Sequence, residues 1–79
     1  MPRYYFNIIT ANGPILDHEG TELRDLDRAR SEAIADARSL MSTAIKEGHT
    51  IFGRSISICN DAGEVLVVLP FSQAVKAFD

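Results

Sequence analysis

A chain of 79 residues has room for one domain, residues 1–79, near the small end of what folds unaided, and its 46% hydrophobic content excludes a disordered chain. A net charge of −3 and a pI near 5.2 supply no clustered Lys and Arg footprint for phosphate, which argues against nucleic acid as a partner. The single cysteine cannot close an internal disulfide, the longest apolar run (Val65 to Leu69) is far too short to span a membrane, and "MPRYYFNIIT" lacks the apolar segment of a signal peptide; a cytoplasmic protein is expected.

In chain order, Arg3 to Thr10 is rich in aromatic and β-branched residues and reads as a strand. Asn12-Gly13 predicts a two-residue hairpin turn with φ > 0 at both positions. Pro14 cannot donate to a ladder, so the return strand, roughly Ile15 to His18, belongs at a sheet edge until Glu19-Gly20 breaks it. Asp25 is placed to cap a helix whose apolar residues recur as Leu26, Ala29, Ala33, Ile34, Ala37, Leu40, Met41, Ala44 and Ile45, with Gly48 as its stop.

Arg54 to Asn60 alternates, placing Ile56 and Ile58 on one face and Ser55, Ser57 and Cys59 on the other. "NDAG" is a hairpin turn, and Val65 to Leu69 is the last strand, ended by Pro70. Phe71, Ala74, Val75 and Phe78 repeat at helical spacing, with Ser72 a candidate cap. The order ββαββ(α) predicts a two-layer α+β domain: one four-stranded, mostly antiparallel sheet, one long helix on one face and a short C-terminal helix.

Candidate sites are few. Asp17, His18 and Glu19 are consecutive, and neighbours on a strand point to opposite faces, so they do not converge on one ion. Cys59 has no basic neighbour in sequence to activate it, the glycines form no phosphate loop, and no serine lies in a G-x-S-x-G context. The expectation is therefore a non-enzymatic domain with no cofactor and no metal. Arg30 falls within the apolar stripe, where a lone charge is costly, and the hairpin register turns Asp17 inward; the two are expected to form a structural ion pair.

Pairing Asn60 with Glu64 and Ile58 with Leu66 places Ile56, Ile58, Leu66 and Val68 under the helix with Tyr4, Phe6 and Ile8. Tyr5, Ile9, Val65, Val67 and Leu69 then lie on the open face, and together with Phe71 and Phe78 they are the expected partner contacts. A surplus apolar face of this kind marks a subunit surface or is covered by the terminal helix. A small protein-interaction or regulatory domain, self-associating as a homodimer, is the leading expectation. An antitoxin-like or nucleic-acid-linked regulator and a small-molecule or metal binder at the sheet edge are the alternatives.

The "MPRYYF" opening, the D-x-E-G-T-E-L-x-D-L segment from Asp17 to Leu26 before an alanine-rich helix, and the closing "GRSISICNDAGEVLVVLPF" resemble a family of short bacterial proteins that is a domain of unknown function. The resemblance covers nearly the whole chain and implies the fold and a bacterial cytoplasmic setting, with no activity attached. A fainter similarity is to the sheet-and-helix domain of HicB-type antitoxins, and the antitoxin alternative follows from it.

Overall fold

Aromatic and β-branched residues over Arg3–Thr10 form β1, which becomes the central partner of the sheet. The computed structural model of the chain describes residues 1–75. Strand β2 (Gly13–Ile15) and the two-residue β3 (Thr21–Glu22) both pair with the same edge of β1. Helix α1 (Leu26–Lys46) follows, then β4 (Ser55–Cys59), β5 (Val65–Pro70) and a 3₁₀ turn (Phe71–Ala74). The strand order is β2-β1-β4-β5, with every neighbouring pair antiparallel. The α+β fold is as expected, with β3 added and a 3₁₀ turn in place of the terminal helix.

The first hairpin differs in detail from its sequence signal. Thr10 pairs with Gly13, so the loop is Ala11-Asn12, and only Gly13 takes a positive φ (109°). The Thr10 hydroxyl holds the turn, accepting from the Asn12 N–H at 3.1 Å and donating to the Gly13 carbonyl at 2.7 Å. One glycine and one hydroxyl thus do what two left-handed residues would have done.

Asp25 caps α1 as expected, accepting from the Arg28 N–H at 2.9 Å. The other end closes in a Schellman motif: the His49 N–H reaches the Ala44 carbonyl and the Gly48 N–H the Ile45 carbonyl, both at 3.0 Å, with Gly48 at φ 92°. The buried line of the helix is Ala29, Ala33, Ala37, Met41 and Ala44. Small side chains along it let the helix lie close over Tyr4, Ile56, Ile58, Leu69, Phe71 and Ala74. The 3₁₀ turn sits on the helix side, where Arg38 Nε donates to the Ala74 carbonyl at 2.6 Å; its first residue has no side-chain cap, so Ser72 does not serve as one.

Two expectations are corrected here. Arg30 is exposed and does not pair with Asp17. The buried line climbs an i, i+4 ridge, which drifts around the helix, so at the level of residue 30 the covered side is that of Ala29, about 100° away. The second correction concerns the face of β5. Asn60 does bond Glu64 across the turn, but the ladder slips between Ile58 and Cys59: Cys59 pairs with Val65 and Ile58 with Val67, leaving Leu66 as an extra residue. A one-residue slip exchanges the faces of everything beyond it. Val67 and Leu69 therefore face the helix, and Leu66 and Val68 take the open side.

Candidate functional site

The sheet face not covered by α1 is the candidate site, and its geometry follows from the register. Tyr5, Cys59 and Val65 make one row across it; Asn7, Ser57 and Val68 make the next; Ile9, Ser55 and Pro70 make the third, with Pro14 beyond Ile9. The middle of the face is polar and internally satisfied. Asn7 Oδ1 accepts the Asp17 N–H at 2.9 Å while its amide nitrogen donates to Cys59 Sγ at 3.6 Å, and Ser57 Oγ lies 3.5 Å from the same sulfur. Cys59 is buried among these contacts, as an inert thiol would be.

At the Tyr5 end the phenol donates to Asp61 Oδ1 at 3.1 Å, and this bond raises the tyrosine pKa above its ordinary value. Leu16, His18, Asn60 and Gly63 join Tyr5, Asn7, Asp17, Cys59 and Asp61 around an open depression of about 270 Å³. His18 and the neighbouring acids do not assemble a ligand set: among the described residues no group of three His, Cys, Asp or Glu side chains is placed to hold a metal ion.

Asp17 has a different task. Continuing the β1–β2 register would set Asp17 opposite Phe6, but the chain leaves the ladder after Ile15. The Phe6 N–H is taken instead by Asp17 Oδ2 at 3.1 Å, and Oδ1 accepts from Glu19 and Gly20 at 3.2 and 3.0 Å. Partial burial pushes this carboxyl upward, but the three N–H bonds, with Gly20's the largest, outweigh it and hold the pKa below the ordinary aspartate value. Gly20, at φ 70°, brings the backbone against β1 so that β3 can pair two residues out of step with β2. "DHEG" is thus a plug for the sheet edge.

The apolar part of the face lies along β5, an edge strand. Val65, Leu66 and Val68 are 58%, 40% and 56% exposed. Of the expected contact residues, Tyr5, Ile9 and Val65 do lie on the open face. Val67 and Leu69 point to the helix, Leu69 being 3% exposed, and Phe71 is fully enclosed in the core. Phe78 lies outside the described residues. Sequence pairing alone turns Leu66 and Val68 inward, because five apolar residues in succession carry no phase and the bulge that sets it has no sequence mark.

Residues 3–72 match the family described as Domain of unknown function (DUF6894). The chain belongs to that family. No curated protein and no solved structure matches it. Its family segment spans every strand, the helix and the first part of the 3₁₀ turn, so the edge plug and the β5 strip both lie within it. No described helix is long and apolar enough to cross a membrane.

Proposed function

We propose that this DUF6894 chain is a non-enzymatic protein-interaction domain that self-associates, acting as a small regulator or adaptor in the bacterial cytoplasm. The observation that carries this reading is the strip of Val65, Leu66 and Val68, three large aliphatic side chains exposed together on a strand that is the sheet's edge among the described residues. Contiguous exposed apolar surface of that kind marks an interaction site more often than scattered single residues do. The surface differs from the one expected from sequence: it keeps Val65, adds Leu66 and Val68, and gives up Val67, Leu69 and Phe71 to the core. Sedimentation equilibrium over a wide concentration range tests it. A reversible monomer–dimer equilibrium is expected, and a chain that stays monomeric at near-millimolar concentration refutes it.

A second reading, a small-molecule binder at the sheet edge, is favoured by the depression that gathers Tyr5, Asn7, His18 and Asp61. Such a ligand would compete with the Tyr5–Asp61 hydrogen bond. Amide chemical-shift changes confined to those residues on screening polar metabolites would support it; shifts confined to Val65–Val68 on raising the protein concentration would favour self-association instead.

A further inference from the structure

The backbone of β5 determines how a second copy would fit. The Phe71 N–H donates to the Arg54 carbonyl at 2.9 Å, which makes Arg54 and Phe71 a hydrogen-bonded pair. Antiparallel pairs alternate, so Ile56–Leu69 and Ile58–Val67 are also hydrogen-bonded pairs, with Ser55–Pro70 and Ser57–Val68 between them. Pro70, which has no N–H, occupies a position where none is needed for the ladder. It follows that the N–H and C=O of Val68 point away from β4, out of the open edge of the sheet.

We infer that a second copy of this chain pairs with β5 edge to edge and antiparallel, with Val68 opposite Val68 of the partner on a twofold axis, joining the two sheets into one. This rests on the self-association proposed above and names its geometry. Three observations select edge pairing with another copy. The free backbone groups of Val68 are self-complementary, because a twofold axis through an antiparallel pair gives each Val68 N–H the other's carbonyl. The strand from Val65 to Phe71 carries no charge, so its own image meets it without like-charge repulsion. The apolar side chains lie at the edge while the middle of the face holds Asn7, Ser55 and Ser57, so stacking face to face would bury polar groups where edge pairing brings Val68 beside its symmetry mate and Leu66 opposite Pro70 of the second copy.

The area is modest. Three half-exposed aliphatic side chains offer on the order of 200 Å² on each copy. Even with the strand backbone added, that is well below the roughly 800 Å² per partner of a standard interface. The dimer is therefore of the weak, reversible class, dissociating in the micromolar range or above.

The experiment measures the dimer dissociation constant by sedimentation equilibrium for the full chain and two variants, with circular dichroism as the check on folding. Val68→Pro removes the outward N–H and places a ring on the edge without breaking a bond to β4; it should weaken dimerisation by about tenfold or more and remain folded. Ile9→Asp, on the far side of the open face, should dimerise as the wild type does. If Val68→Pro unfolds, Val68→Lys takes its place with the same expected weakening. A positive signature completes the test: residues facing each other in such a pair have Cα atoms about 5.5 Å apart, within disulfide reach, so Val68→Cys should oxidise to a covalent dimer and Ile9→Cys should not. Dimerisation that survives a folded Val68→Pro or Val68→Lys, or that Ile9→Asp abolishes, overturns edge pairing while self-association stands. A wild-type chain that never dimerises overturns both.

Discussion

The two edges of this sheet are treated in opposite ways. On the β1 side the backbone is closed three times over in eight residues: by the short β2 with Pro14, by the Asp17 carboxylate at Phe6, and by β3 at Arg3 and Tyr4. Arg3 adds a clamp, reaching the Glu19 carbonyl at 2.8 Å and the Glu22 carboxylate at 3.2 Å. On the β5 side neither an added strand nor a carboxylate plug is present among the described residues; Pro70 removes one outward donor at the strand's end, and the rest of the strand carries five aliphatic side chains in succession. Edge strands are ordinarily blunted with charge, proline or a covering element because an open one templates association. The difference teaches that blunting one edge is within this chain's means, so the open one is read as a surface for use.

The sharpest way to break the comparison lies in two adjacent residues of β5. Val67 packs against the core under the helix, and Val68 faces solvent. Val67→Glu places an unpaired carboxylate against Ile56 and Ile58's side of the sheet and should cost about 3 kcal/mol or more, enough to unfold much of a domain this small. Val68→Glu should leave the monomer within about 0.5 kcal/mol of wild type. Urea unfolding of both decides it, and the reverse pattern would restore the face assignment read from sequence.

At the closed edge, Asp17→Ala removes an acceptor from three backbone N–H groups, of which those of Phe6 and Gly20 are partly buried. A loss of about 2–3 kcal/mol is expected, with faster hydrogen exchange at the Phe6 amide as the local sign. Arg30→Ala, by contrast, should be close to neutral, since the exposed Arg30 has no carboxylate partner among the described residues. Equal and non-additive losses in a double-mutant cycle would revive the ion pair expected from sequence.

Gly20→Ala is a smaller perturbation of the same plug. Its Cβ would stand 2.9 Å from both Arg3 Cγ and Tyr5 Cε2 and 3.0 Å from the Tyr4 carbonyl, at a φ that only glycine adopts freely. A cost of about 1–2 kcal/mol follows, read as a fall in thermal midpoint of several degrees. Were the midpoint unchanged, β3 would not be held against β1 as described.

These outcomes bear on what the sequence could reveal. Helix α1, its Asp25 cap, its Gly48 stop and the inward set Tyr4, Phe6, Ile8, Ile56 and Ile58 were legible, because each rests on local chemistry or on a clean alternation. The hairpin at Asn60 was legible too. The face of β5 was not: Val-Leu-Val-Val-Leu has no polar residue to mark a phase, so the bulge at Leu66 alone decides it. A helical wheel misplaces Arg30 because it assumes a contact line parallel to the axis, while the alanine ridge runs obliquely. The structural role of Asp17 is legible, but the side chain closes the sheet edge beside the open-face depression instead of turning inward, and its partners are backbone amides, which no side-chain pattern announces.

The smallest effects are electrostatic, and they set Asp17 against Asp36. Asp17 has a lowered pKa in the folded chain, so its contribution to stability is complete above the unfolded value, about 3.9, and drains away as pH falls through the lower folded value. Asp36 runs the other way. Burial pushes its carboxyl up, with Glu32 one helical turn away adding to the shift, so the folded state favours the protonated form. The stabilisation from that proton is full below the unfolded value and is lost as pH rises through the folded one. Thermal unfolding of the wild type between about pH 2 and pH 6 thus sums two opposed slopes. Asp17→Asn should flatten the decline on the acid side, and Asp36→Asn should deepen the net rise in stability with pH by removing the term that opposes it. If Asp17→Asn left the acid limb as steep as in the wild type, the carboxylate would not be the acceptor that closes the β1 edge, and the contrast between the two edges would lose its chemical basis.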